Sequence, residues 1–125
     1  MNHAPTLLAI VLALPLAAAA ATPQEISRGY APAASPERGQ ALFTGRHGRE
    51  WTCASCHTAN PTVPGRHAGT GKFIEPLAPA ANPARLVDAA RVEKWLRRNC
   101  NDVLGRECTP QEKADVTAWL MALKP

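Results

Sequence analysis

The sequence predicts an all-α fold in a single domain. Helix start signals precede three segments, apolar residues recur at three- and four-residue steps, and no strand-like alternation of useful length occurs. The chain has 125 residues, enough for one compact domain with a modest core. Its formal net charge is +4, but the basic residues lack the aromatic interleaving of single-strand nucleic-acid binders. We therefore expect no nucleic-acid partner, and a mildly basic surface that suits an acidic protein.

The N-terminus predicts export rather than structure. An apolar run followed by an alanine tract that ends at Ala21 is typical of a signal peptide, here residues 1–21. The run is short and rich in alanine for a membrane span, so we expect no stable membrane insertion after cleavage, with an uncleaved anchor as the alternative. Export to the periplasm would place the four cysteines in an oxidising compartment. Residues 22–34 lack periodicity and are predicted to form a flexible arm, which leaves 35–125 as the folded domain.

Three helices follow from capping and periodicity. Ser35, followed by proline, predicts the start of a short helix that includes Phe43. Asp88 predicts the N-cap of a second, amphipathic helix that ends near Asn99. The third helix has the clearest start, because Thr109 begins the capping box TPQE with proline at the first helical position. The domain is therefore predicted to consist of helices joined by long loops.

The motif CASCH, from Cys53 to His57, lies in a stretch whose glycine and proline content excludes long helices. This spacing is the attachment signature of c-type haem, since two intervening residues let both sulfurs reach the vinyl groups on one porphyrin edge. A zinc site would need further ligands at finger-like spacing, and a thioredoxin-like pair would need a preceding strand and a following helix. We expect one covalent haem c, attached through Cys53 and Cys56, with His57 as the proximal iron ligand.

The surroundings of the motif resemble class I cytochromes c, in which a short helix precedes the motif and the C-terminal helix crosses back over it. The resemblance implies short helices and long loops wrapped around the haem. Gly39 and Phe43 would meet Trp119 at this crossing, since glycine lets two helix backbones approach and the rings fill the gap. His57 needs a hydrogen bond at its other ring nitrogen, and we expect a carbonyl in the loop 60–64 to accept it.

The donor on the far side of the iron decides the function. Class I electron carriers usually supply a loop methionine, and this chain has none between His57 and Met121. Met121, His47 and His67 remain as alternatives, and any of them as a strong sixth ligand would leave a plain electron shuttle.

A second resemblance covers most of residues 35–123 and concerns this position. The sequence is similar to the sphaeroides haem protein family of high-spin, oxygen-binding class I cytochromes c. The match runs through Glu75-Pro76-Leu77, Asn82-Pro83-Ala84-Arg85, Lys94-Trp95, Arg106-Glu107-Cys108-Thr109, Glu112-Lys113 and Trp119-Leu120. In that family an asparagine before a disulfide cysteine ligates ferric iron, which implies Asn99 as the displaceable distal ligand, with Asn101 as its rival. Cys100 and Cys108 are then expected to form the disulfide.

These expectations describe a periplasmic monohaem cytochrome for electron transport. A neutral amide oxygen is a weak, hard donor suited to Fe(III) and poorly suited to Fe(II), so reduction should free the sixth position for O2, NO or CO. The resemblance implies a dihaem cytochrome c as electron donor. The alternative is a small reductase or oxidase acting on O2, NO, peroxide or hydroxylamine, which would need a distal acid or base, whereas Asp102 and Glu107 fit solvated loop charges. The candidates for haem propionate contacts are Arg66, Lys72, Arg85 and Arg98.

Overall fold

The computed structural model describes Met1, residues 12–15 and residues 19–125. Most of the predicted signal peptide therefore lies outside the described residues. In chain order the elements are α1 (Pro23–Tyr30), α2 (Pro36–Thr44), α3 (Cys53–His57), β1 (Gly65–Arg66), β2 (Phe73–Ile74), α4 (Ala89–Leu104) and α5 (Pro110–Ala122). The two strands form a short antiparallel hairpin. The prediction of an all-α domain is confirmed, and no helix in the described part of the chain is long and apolar enough to span a membrane.

Helix α1 occupies the segment for which we predicted a flexible arm, and that prediction is wrong. Residues 22–25 form a capping box in which threonine and glutamate exchange hydrogen bonds with each other's backbone N–H groups. Their sequence, TPQE, is the same four letters that begin α5. Ile26 is buried in the core, and the hydroxyl of Ser27 donates to the carbonyl of Ala114 at 3.0 Å. Packing on α5 thus orders a helix too short to be stable alone.

Helices α2 and α5 cross as predicted. Gly39 lies against the backbone of Asp115, and a side chain at this glycine would overlap the Asp115 carbonyl. One turn later, the rings of Phe43 and Trp119 pack with their centroids 4.8 Å apart. The buried core that surrounds this crossing consists of Ile26, Phe43, Leu86, Val92, Val116, Trp119 and Leu120. We call these residues the core cluster.

Helix α4 is longer than its sequence pattern predicted. It continues five residues past Asn99 and ends at Gly105, whose φ of 71° is a left-handed conformation that glycine adopts without strain. Asn99 and Cys100 therefore lie within the helix rather than in the connection to α5. The apolar face of α4 continues to Val103, which is buried, and this burial explains the extension.

Candidate haem site

Helix α3 presents the two cysteine thiols. Thr52 caps the helix, since its hydroxyl accepts from the N–H of Ser55 at 3.1 Å while the Ser55 hydroxyl accepts from the N–H of Thr52 at 2.9 Å. Cys53 and Cys56 are unbonded to other cysteines and half-buried. Burial raises the pKa of the Cys53 thiol to about 11, so it is protonated at neutral pH. The short capped helix keeps both sulfurs within one turn, as a double thioether attachment requires.

His57 is the last residue of α3 and follows the second thiol directly. Its ring packs against Phe43, with the centroids 6.0 Å apart. Burial, and then the positive charge of nearby Arg85, lowers the pKa of His57 to about 4. The imidazole is therefore neutral at pH 7, which is the form that binds iron. Thr58 ends the helix at once, with a φ of 65°.

The hydrogen bond predicted between His57 and the loop 60–64 is not present in the described part of the chain. The carbonyl of Pro61 instead accepts from the backbone N–H groups of Leu77 and Ala78, both at 3.0 Å. These bonds tie the loop after the motif to the segment that leads toward Arg85. The sequence alone does not show that the Pro61 carbonyl would bond to backbone N–H groups 16 and 17 residues later.

The β hairpin wraps closely around the end of α3. Gly65 lies against the carbonyl of Cys56, and a side chain at this glycine would overlap that oxygen. The N–H of Ala68, in the turn of the hairpin, donates to the sulfur of Cys56 at 3.2 Å. Gly65 is thus a site residue that sequence reasoning missed, because its role depends on a contact across the loop.

The surface between α3 and α4 is open. Among the described residues, no extensive backbone contact joins these two helices. A cavity of about 540 Å³ lies between Arg85, whose charge acts on His57, and Trp95 of α4. A second cavity of about 470 Å³ separates Asp102 of α4 from residues 48–51, which immediately precede the motif helix. The two cavities lie along α4, one toward each of its ends.

Large apolar side chains are exposed on the segment that follows the motif and on α4. Val63, Phe73 and Trp95 are 46%, 51% and 45% exposed, although side chains of this size usually bury more of their surface. Val63 and Phe73 belong to the loop and hairpin that wrap α3, and Trp95 belongs to α4. The residues present thus fit a haem: two unpaired thiols on one turn, a neutral imidazole and apolar side chains left for a flat, apolar group to cover.

The two histidines considered as sixth ligands make local hydrogen bonds. Nε2 of His47 lies 2.8 Å from the carbonyl of Leu42. Nδ1 of His67 accepts from the N–H groups of Gly69 and Thr70, both at 3.1 Å. Each ring therefore stabilises its own loop.

Met121 and Asn101 are also engaged elsewhere. Met121 is half-buried near the end of α5 and packs against the core cluster. Asn101 is exposed, and its side-chain amide donates to the carbonyl of Arg97 at 2.8 Å. Both side chains therefore already have contacts within the protein.

Asn99 differs from these four candidates. It is half-buried on one face of α4, where Val92, Leu96, Asn99 and Val103 follow one another at steps of four, three and four residues. Val92 and Val103 are buried, and Leu96 packs against the core cluster. The side-chain amide of Asn99 makes no hydrogen bond among the described residues, and its polar atoms reach the surface, since no buried side-chain nitrogen or oxygen there lacks a partner. The amide is therefore accessible and has its donor and acceptor atoms free for a further group.

A disulfide bond joins Cys100 and Cys108, and both residues are buried. It ties the last turns of α4 to the residue that precedes Thr109, the N-cap of α5. The residue next to Asn99 is thereby covalently linked to the start of α5.

The four basic residues considered for propionate contacts differ in their surroundings. Arg85 donates to the carbonyls of Glu75 and Pro76, at 3.1 and 3.0 Å. Arg98 lies over the ring of Trp95, with 5.6 Å from its guanidinium carbon to the centroid. Arg66 and Lys72 are both exposed, and Arg66 donates to the Gly71 carbonyl at 3.2 Å. Only Arg85 is linked to the motif, through the effect of its charge on His57.

Comparisons with known proteins identify the family of this chain. The model of a domain of unknown function, DUF1924, matches residues 30–120. The chain is 50% identical over 124 residues to the cytochrome c-type protein SHP of Cereibacter sphaeroides, covering 93% of this chain and 95% of the relative. A structure of oxidized SHP, described as an oxygen-binding cytochrome c, superposes with a TM-score of 0.78 at 49% identity, over 83% of this chain and 99% of that one.

A solution structure of cytochrome c'' from Methylophilus methylotrophus, described as giving insight into haem-ligand detachment, is also similar. It superposes with a TM-score of 0.72 at 34% identity, over 82% of this chain and 94% of that one. The fold, the free thiol pair and these matches over nearly the whole length lead to one assignment. The chain belongs to the SHP family of class I c-type cytochromes and carries covalently bound haem c.

Proposed function

We propose that this chain is a periplasmic cytochrome that accepts electrons from a dihaem cytochrome c and binds a small ligand, O2, NO or CO, at the sixth position of its haem iron. Cys53 and Cys56 attach the haem, and His57 binds the iron from the proximal side. The haem supplies an Fe(III)/Fe(II) couple and one further coordination position. The observation that carries the proposal is the amide of Asn99, which is half-buried on an apolar helix face without a hydrogen-bond partner among the described residues.

The chemistry of an amide oxygen supports a labile sixth ligand. The oxygen of Asn99 is a neutral, hard and weak donor, so it suits Fe(III) and is poorly suited to Fe(II). Asn99 would therefore hold the sixth position in the oxidised protein and would yield it on reduction. Compared with a methionine sulfur, such a donor also favours the ferric state and a lower reduction potential.

The contacts made by the other possible sixth ligands also favour Asn99. A firm sixth ligand would have to come from His47, His67 or Met121, and each of these side chains has other contacts. The two histidines stabilise their own loops, and Met121 packs on the core cluster. Recruiting any of them would cost those contacts, whereas Asn99 loses none.

An acidic electron donor fits the exposed side of α4. Arg91, Lys94 and Arg98 are exposed and make no ion pair with any residue that the structure describes. Together with the net charge of +4, they provide a surface that attracts an acidic partner and speeds its encounter. The family resemblance suggests a dihaem cytochrome c for this role. The apolar N-terminal run and a complement of four cysteines without a spare thiol support export to the periplasm.

Absorption spectra of the oxidised and reduced protein, with and without CO, test this function. We expect a high-spin ferric spectrum and rapid CO binding on reduction. Asn99→Ala should raise the affinity of the ferric protein for cyanide about tenfold, since about 1.4 kcal/mol of competition from the amide is removed. Asn101→Ala is the matched control, because its exposed amide bonds only to the backbone of its own helix, and it should leave that affinity unchanged.

A low-spin ferrous spectrum that does not respond to CO would show a strong sixth ligand in both oxidation states, and the protein would then be a plain electron shuttle.

A further inference from the structure

The position of Asn99 depends on how α4 is held. Within the described chain, α4 makes no extensive backbone contact with any other helix, in contrast to the close crossing of α2 and α5. The disulfide at Cys100 fixes its C-terminal end, as described above. Its N-terminal half is attached by Val92, which is buried in the core cluster, by Leu96, which packs against that cluster, and by the carboxylate of Glu93.

Glu93 is the point at which three helices meet. Nζ of Lys113, on α5, donates to both carboxylate oxygens of Glu93, at 2.8 and 3.0 Å. The hydroxyl of Tyr30, the last residue of α1, donates to the same carboxylate at 2.9 Å. The ammonium of Lys113 also lies 5.4 Å from the centroid of the Tyr30 ring. The three side chains thus form one cluster, which we call the Glu93 clamp.

The clamp is partly shielded from water. The side chain of Lys113 is only 9% exposed, and that of Glu93 is 31% exposed. The hydrogen bond from Lys113 holds the pKa of Glu93 below its ordinary value, so the carboxylate is charged at neutral pH. The pair keeps a defined geometry, because loss of the Glu93 carboxylate would leave the nearly buried ammonium of Lys113 without an ion-pair partner among the described residues.

The clamp acts on the same rigid element that carries the distal amide. Glu93 and Asn99 are six residues apart on α4, which is about 9 Å along a helix axis. We propose that Glu93, held by Tyr30 and Lys113, is a positioning residue for Asn99, so that helix α1 controls how firmly the amide competes for the sixth position of the iron. This inference rests on the proposed function of Asn99 as a labile ligand.

Three variants separate positioning from stability. Tyr30→Phe removes one hydroxyl and keeps the ring on Lys113, and Glu93→Gln removes the charge. Ser27→Ala is the matched control, since it deletes a buried hydrogen bond from the same helix α1 that reaches α5 and not α4. We expect cyanide to bind the ferric protein at least about threefold more tightly in the first two variants, a typical coupling effect, and with unchanged affinity in Ser27→Ala. Should Glu93→Gln not fold, Tyr30→Phe alone decides.

A double-mutant cycle tests whether the effect passes through Asn99. Placed in an Asn99→Ala background, Tyr30→Phe should have no further effect on cyanide affinity, because the competing amide is already gone. Amide hydrogen exchange supplies a readout that is independent of ligand binding. Exchange in residues 97–104 should be faster in Tyr30→Phe than in Ser27→Ala, since only the former loosens α4.

The outcomes distinguish this inference from the function on which it rests. If Asn99→Ala raises cyanide affinity and Tyr30→Phe does not, the positioning role is refuted and the labile-ligand function stands. The same holds if Ser27→Ala acts as strongly as Tyr30→Phe, or if the effect of Tyr30→Phe persists without Asn99. If Asn99→Ala leaves cyanide affinity unchanged, the proposed function fails and the positioning role fails with it.

Discussion

Single residues determine how closely the elements of this cytochrome approach each other. Gly39 lies where α2 crosses α5, and Gly65 lies where the hairpin meets the carbonyl of Cys56. At both positions the first atom of any side chain would overlap a backbone oxygen. The oxygen belongs to a helix in each case, so neither site relaxes by a simple side-chain rotation.

The consequence for Gly39 is measurable. Replacing glycine by alanine inside a helix ordinarily stabilises it, but here we expect Gly39→Ala to lower the free energy of unfolding by about 1–3 kcal/mol, because the helices must separate. Gly29→Ala is the matched control, since Gly29 lies in α1 with no atom within 4 Å of the added carbon, and it should raise stability by about 0.5–1 kcal/mol. Denaturant titration of both holoproteins checks this, and wild-type stability of Gly39→Ala would contradict it.

At the scale of the element, the start of α5 is the best-defined helix end. Glu112 accepts hydrogen bonds from both terminal nitrogens of Arg106 at 2.8 Å, and from the backbone N–H of Thr109 at 2.8 Å. The hydrogen bonds from Arg106, followed by that from Thr109, lower the pKa of Glu112 to about 2. A carboxyl group whose pKa is lower in the folded than in the unfolded protein stabilises the fold where it is ionised in both states.

This shift predicts a pH-dependent contribution to stability. The contribution of Glu112 is complete above its ordinary pKa of 4.5 and is lost as the pH falls toward 2. We therefore expect Glu112→Gln to lower the melting temperature most at pH 5–7, and the difference from the wild type to narrow steadily below pH 4.5. Arg106→Gln, which removes the same pair from the other side, should behave alike. A difference that is constant from pH 7 to pH 3 would contradict this assignment.

At the scale of the whole molecule, long-range links hold elements that backbone packing leaves apart. The disulfide between Cys100 and Cys108 closes a short loop between α4 and α5. At the other end of α4, the Glu93 clamp connects it to α1 and α5. These links hold α4 at both ends, while no extensive backbone contact joins it to α3 in the described chain.

Loss of the disulfide should weaken the whole domain. Replacing both Cys100 and Cys108 by serine should lower the free energy of unfolding by about 2–3 kcal/mol, by the loop-entropy relation for a short closed loop. Denaturant titration measures this loss. An unchanged midpoint in the double variant would contradict the estimate.

The sequence by itself determined the features that depend on neighbours in the chain. The capping signals of α2, α4 and α5 are short-range hydrogen bonds, and the CASCH spacing is a covalent requirement, so both are visible without a fold. The assignment of Asn99 came from family resemblance, since nothing local distinguishes it from Asn101. The TPQE capping box of α1 is present in the sequence as well. A capping box indicates where a helix can begin, but it does not show whether a short helix packs against another element and is thereby stabilised.

Only the tertiary structure decided which of these local features act together. Docking of α1 depends on Ser27 meeting Ala114, 87 residues later, and the clamp depends on Tyr30 meeting Glu93, 63 residues later. The half-burial of Asn99 depends on α4 presenting the same face as Val92 and Val103 to the rest of the domain. Such contacts are stabilised by burial and by charge pairing in a partly shielded interior, and both arise only when distant segments exclude water from the same place.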